Sequence, residues 1–199
     1  MKKLFIIGGM GAGKSTARKA LTDEGLAWID LDQVGHEVLM WDTVKDDLRG
    51  AFGDDIFDEN GEVVRSALAA KAFATPAATR KLNTITMPRI EERYTDLIDG
   101  FEAEGKPAVV VEYSVFRNRQ QSLAYGADVV MAVLAPLETR IERAVASGFS
   151  EEDVRARIAR QITDADRIEA ADVVFNNDGT PEELRNEVLA WWNEYKKEL

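Results

Sequence analysis

One short run near the start constrains this chain more than any other stretch. Gly8-Gly9-Met10-Gly11-Ala12-Gly13-Lys14-Ser15 fits the pattern G-x-x-x-x-G-K-[ST] at every fixed position. An apolar run at residues 3–7 precedes it. A helical pattern follows from Lys14 to about Glu24, with Gly25 as its stop. Glycines let successive backbone N–H groups turn inward, and the helix that follows presents its positive end to the same anion. The amides of Gly11, Ala12 and Gly13 are therefore expected to wrap phosphates, with Lys14 reaching the β- and γ-phosphates. The Ser15 hydroxyl suits Mg²⁺, and Thr16 suits the α-phosphate. A glycine-rich turn that binds nothing leaves the lysine–serine pair, set between strand and helix, without a reason. The expected ligands are ATP and Mg²⁺.

Five apolar runs read as strands: residues 3–7, 26–29, 108–112, 129–134 and 173–175. Each is continuous rather than alternating, as strands buried on both faces of a parallel sheet are. Helical segments separate them, as parallel crossovers require. The fold class expected is α/β: a three-layer P-loop NTPase fold around a five-stranded parallel sheet. Between residues 33 and 104 the pattern is mostly helical, punctuated by Pro76 and Pro88. That stretch is too long for a loop and reads as a helical sub-domain. Trp191-Trp192, in a closing amphipathic helix, are expected to pack on the sheet.

Ile29-Asp30-Leu31-Asp32 ends the second strand. In open parallel sheets ligands sit beyond the carboxyl ends of strands, so both carboxylates are expected near the phosphates. Alternate residues of extended chain share a face. One of the two then accepts a proton from an acceptor hydroxyl, or holds Mg²⁺ through water, and the other is structural; Asp32 is the expected base. The segment 137–170 is rich in arginine, which suits charge stabilisation over a γ-phosphate; Arg143, just after the fourth strand, is the candidate. A solvated helix laced with ion pairs such as Glu151–Arg155 explains the same composition. Glu112 reads equally as a water-mediated metal contact or a polar end-cap. His36, the single histidine, reads as structural. Asn177, in the turn after the fifth strand, stands where such loops often meet the purine, although a plain turn is the default.

The bulk numbers exclude other classes. A chain of 199 residues with net charge −11 repels nucleic-acid phosphate, so no DNA or RNA partner is expected. There is no cysteine, hence no disulfide and no thiolate metal site. The opening apolar run stops at Gly8, too short for a signal peptide, and no stretch is long enough for a membrane span. A cytoplasmic protein, monomeric or weakly homo-oligomeric, is expected.

With these residues in hand, the chain resembles the dephospho-CoA kinase family. The matches are ordered along nearly the whole chain. They start with residues 8–16 and Asp30-Leu31-Asp32, then Ala51-Phe52-Gly53 with Asp54-Asp55-Ile56 and Asn60-Gly61. Arg65, Leu68, Phe73 and Leu82-Asn83 follow. Arg155-Ala156-Arg157-Ile158 with Gln161, and Ala171-Asp172-Val173 with Asn177 and Gly179, complete the set. The resemblance implies a core of residues 1–35, 105–136 and 171–199, a helical acceptor-binding domain at 36–104 and a lid at 137–170. It implies phosphorylation of the ribose 3′-hydroxyl of dephospho-CoA by ATP, with Lys14 and Ser15 on ATP and Mg²⁺, Asp32 as base and Arg143 as lid-side cation. The chain departs from the family pattern at His36 and Ser147, both usually arginine, and at Met87, usually histidine. It departs again at Tyr113-Ser114-Val115-Phe116-Arg117. Two other readings stand beside this one: the same chemistry on another nucleoside, nucleotide or small metabolite, or a nucleotide-binding module that has lost turnover.

Overall fold

A computed structural model describes residues 1–199. Along the chain run β1 (Lys2–Gly8), α1 (Lys14–Asp23), β2 (Ala27–Asp30), α2 (Leu31–Val38), α3 (Asp42–Phe52), α4 (Arg65–Ala72) and α5 (Pro76–Ala103). Then come β3 (Ala108–Glu112), β4 (Val129–Leu134), α6 (Leu137–Ala146), α7 (Glu151–Ile158), α8 (Asp164–Ala170), β5 (Val173–Asn176) and α9 (Pro181–Tyr195). The five strands form one parallel sheet in the order β2-β3-β1-β4-β5. The expected α/β class and five-stranded parallel sheet are what the chain adopts. No helix is long and apolar enough to cross a membrane.

Contacts divide the chain into two units, residues 1–30 with 98–199, and residues 31–97. In the first, β1 lies at the centre of the sheet, and Leu4 to Ile7 are sealed from solvent. Leu4 and Ile6 join Val110, Met131 and Phe175 against Leu21 of α1 and Val188 and Trp192 of α9. Each such side chain contributes about 1.5–3 kcal/mol when fully buried. Trp192 is in this core and Trp191 meets Phe175 edge-on, so the tryptophan pair does pack on the sheet. A capping box of Thr180 and Glu183, with Pro181 in the first turn, starts α9.

The second unit has its own small core, Val44, Leu48, Ile56, Leu68 and Ala72, with Leu82 and Ile85 of α5 packed on it. Pro76 opens α5, where its missing N–H is harmless. Pro88 was expected to punctuate the pattern but lies inside this 28-residue helix. A proline there forfeits one backbone hydrogen bond, and the apolar packing of Leu82 and Ile85 overrides that local preference. A second difference concerns the acids. The helix α2 begins at Leu31, so Asp32 sits in its first turn rather than in extended chain beside Asp30. The expected strand-face alternation therefore does not apply to them.

Asp172, just before β5, ties the segment after β3 to the sheet. Arg119 grips both its oxygens at 2.9 and 2.7 Å, and the Val130 N–H donates to it at 2.8 Å. Burial acts to raise this carboxyl's pKa, but the hydrogen bonds outweigh it and hold the group below its ordinary 3.8. A depressed folded-state pKa gives stability that is present above the unfolded value and lost as pH falls through the folded one. The melting temperature should therefore stay level near neutrality and drop below about pH 4. Asp172→Asn should lower it at pH 7 and flatten that acid slope, as circular dichroism melts across pH would register.

Candidate active site

The phosphate-binding loop is the link between the central strand and α1, and its backbone is pinned from three directions. Asn177, directly after β5, donates its amide to the Ala12 carbonyl at 2.8 Å. Gln161, after α7, accepts from the Met10 N–H at 3.1 Å. From the side, α6 presses against the loop: a Cβ at Gly11 would stand 2.2 Å from the Arg140 carbonyl oxygen. One at Gly9 would stand 1.9 Å from the Arg140 guanidinium. Gly13, with φ of +106°, has Asn177 Nδ2 only 2.3 Å from where a Cβ would be. Gly13→Ala combines a left-handed backbone with that collision and should destabilise the protein by about 2–4 kcal/mol. Thermal melts with and without ATP should show both the loss of stability and a smaller nucleotide-induced rise.

The cations at the loop are buried or half-buried. Lys14 is 9% exposed, and its ammonium donates to the Gly8 carbonyl at 3.3 Å. Ser15 is exposed at the start of α1, and Thr16 lies beside it. A cavity of about 270 Å³ opens here, lined by residues 10–16 together with Arg143, Ala144, Ser147 and Phe149. Arg143 donates through Nη2 to the carbonyls of Asn177 (3.3 Å) and Gly179 (3.4 Å), while its Nη1 is buried without a partner. It thus joins α6 to the turn after β5. Asn177, expected as a nucleotide contact, is 5% exposed and braces the loop backbone. The structure brings Lys14, Ser15, Thr16, Arg143 and Asn177 together in the first unit. Asp32 opens the second, exposed in the first turn of α2.

Two other arginines of the segment 137–170, from which the sequence singled out Arg143, also lie at this site. Arg140 is 6% exposed, with Nη2 3.6 Å from Asp164 and a buried Nε that has no hydrogen-bond partner. Arg167 is 3% exposed and donates to the other oxygen of Asp164 at 2.6 Å. Burial holds the Arg167 guanidinium below its ordinary pKa, against the pull of Asp164. One carboxylate thus bridges two buried guanidinium groups, leaving local positive charge beside the loop in a chain of net charge −11. The i,i+3 spacing of Arg140 and Arg143 on α6 is the signal that marks Arg140 as sharing that helix face. Glu112, at the end of β3, stands in register with Asp30 and lies 3.4 Å from Arg18 of α1. No three carboxylates or histidines gather into a metal centre. The Ser15 hydroxyl beside a phosphate cradle suits Mg²⁺, a hard cation that keeps waters and takes phosphate oxygens rather than an all-protein cage.

The Ala12 N–H, expected on the phosphates, donates instead to the Gly9 carbonyl at 3.1 Å, and the loop can grip a polyphosphate with its remaining amides and neutralise it with lysine and arginine. Comparison with known proteins agrees. The profile of the family described as dephospho-CoA kinase matches residues 4–183. A dephospho-CoA kinase of Corynebacterium glutamicum is 39% identical over 189 residues, 94% of each chain. One of Thermobifida fusca is 35% identical over 201 residues, covering 100% of this chain and 98% of the other. A crystal structure of a Thermus thermophilus protein superposes with a TM-score of 0.82 at 26% identity over 97% of each chain. The Campylobacter jejuni dephospho-CoA kinase shares the fold, with a TM-score of 0.65 at 21% identity over 97% of this chain and 96% of that one. A phosphate cradle with this strand order, and a family match over almost the full length, place the chain in the dephospho-CoA kinase family.

Proposed function

We propose that this chain transfers the γ-phosphoryl group of ATP to the ribose 3′-hydroxyl of dephospho-CoA, giving CoA and ADP. The observation that carries the reading is the set of buried cations around the loop, Lys14 and Arg140 with half-buried Arg143, in a chain whose family match spans residues 4–183. The loop amides hold the β-phosphate, and Lys14 exchanges its contact with the Gly8 carbonyl for the β- and γ-oxygens. Arg140 holds the loop backbone at Gly9 and Gly11 and adds positive charge beside it. Arg143, the lid-side cation, faces the γ-phosphate as charge develops in transfer. The acceptor oxygen forms its bond to the γ-phosphorus while the bond to the β-bridging oxygen breaks, and Asp32 takes the hydroxyl proton. Ser15 and, through water, Asp32 would hold Mg²⁺, which supplies neutralisation of the phosphate oxygens when bound.

In the same reading residues 36–104 hold the acceptor, residues 137–170 form the lid, Thr16 and Asn177 complete the ATP side, and the protein acts in the cytoplasm as a monomer or weak oligomer. The test is direct: purified protein with ATP, magnesium and dephospho-CoA should yield CoA and ADP in equal amounts. Turnover of another nucleoside or metabolite, with none of dephospho-CoA, would overturn the acceptor assignment. ATP binding with turnover of no acceptor would overturn the activity itself.

A further inference from the structure

In the second unit, most basic side chains rest on carboxylates: Lys45 on Glu62, Arg49 on Asp54, Lys71 on Asp55, Arg89 on Glu92 and Arg93 on Glu37. Arg65, the first residue of α4, is exposed and lies instead on the chain's single histidine. Its Nη1 is 3.1 Å from His36 Nδ1 and 2.9 Å from His36 Nε2. A nitrogen this close to both ring nitrogens lies over the face of the imidazole, because an in-plane position would collide with the ring carbons. The contact aims one guanidinium N–H at the imidazole ring through Nη1, and Nε and Nη2 take no part in it. Both His36 and Asp32 are exposed, and they are four residues apart, one turn along the same face of α2.

That spacing has a chemical counterpart. Neighbours one turn apart on a helix are separated by about 5–6 Å between Cβ atoms, and an arginine extends the reach further. A ribose that offers its 3′-hydroxyl to Asp32 carries its 5′-diphosphate on the other side of the same ring, roughly one helical turn away. We propose that Arg65 binds the 5′-diphosphate of the nucleotide acceptor and that His36 is the positioning residue that holds the Arg65 guanidinium in place for it. This inference rests on the assignment of Asp32 as base and of dephospho-CoA as acceptor. Arginine is suited to the task, since its planar fork meets phosphate oxygens two at a time. A contact made through Nη1 leaves the edge formed by Nε and Nη2 for a phosphate, whereas a bidentate carboxylate partner would occupy a fork.

The test is a split of steady-state constants among Arg65→Ala, Arg65→Lys, His36→Ala and His36→Phe, each checked for an unchanged melting temperature. Arg65→Ala should raise the KM for dephospho-CoA by about tenfold to a hundredfold, with kcat and the KM for ATP held within about twofold. Arg65→Lys should recover part of that loss. His36→Ala should raise the same KM by roughly threefold to tenfold, and His36→Phe, which keeps a flat face for the guanidinium, should restore it. A KM for dephospho-CoA that Arg65→Ala leaves unchanged, or a fall in kcat alone, would overturn the role of Arg65. A phenylalanine variant no better than alanine would overturn the role of the ring contact. A wild-type protein that leaves dephospho-CoA untouched fails the acceptor assignment itself, which separates the two failures.

Discussion

Asp32→Asn is expected to lower kcat by about 10²–10⁴-fold while leaving the KM for ATP close to its original value. The substitution keeps the shape of the side chain and removes its charge and its capacity to take a proton. Asp32 is exposed in the first turn of α2, so folding does not depend on burying it. The acid does favour the positive end of that helix, by about 0.3–1 kcal/mol at an exposed position. A small fall in melting temperature therefore accompanies the variant and is far too small to explain the loss of rate. Turnover equal to wild type would remove Asp32 as the base and direct attention to Asp30 and Glu112, which stand in register at the ends of β2 and β3.

Lys14→Ala should act on the other substrate. Removing a single preorganised cation or donor from a transition state costs about 10²–10³-fold in kcat. The Lys14 ammonium sits 3.3 Å from the Gly8 carbonyl, long for a charged donor, and phosphate oxygens are the better partner. The rise in melting temperature that ATP confers on wild type, a direct measure of binding to the native state, should shrink in the variant. The two variants thus separate: one loses proton transfer with ATP binding intact, the other loses ATP.

The strands and the loop were legible for physical reasons. A strand buried on both faces must be apolar throughout, so β1, β3 and β4 announce themselves, and glycine is demanded wherever backbone meets backbone. Gly11 and Gly13 show this through the Arg140 carbonyl and the Asn177 amide that lie where a Cβ would be. Arg140 was not legible, because its role depends on α6 lying against the loop, a contact between residues far apart in sequence. Arg143 was picked out for its position after β4. Its hydrogen bonds to the carbonyls of Asn177 and Gly179 needed the fold to be seen. The early start of α2 was hidden because it abuts β2 with no turn residue between them, so Asp30-Leu31-Asp32 also reads as the alternating end of a strand. Pro88 misled for the opposite reason: a strong local breaker was overruled by apolar contacts elsewhere on the helix.

The amide of Asn177 reaches back across 165 positions to the Ala12 carbonyl. During synthesis the glycine-rich segment leaves the ribosome 165 residues before its brace. A nascent polypeptide stalled before Asn177 carries the whole motif yet lacks the wedge that shapes it. Competence to hold a triphosphate should therefore emerge late and abruptly, when β5 joins the edge of the sheet, so that incomplete chains do not sequester nucleotide.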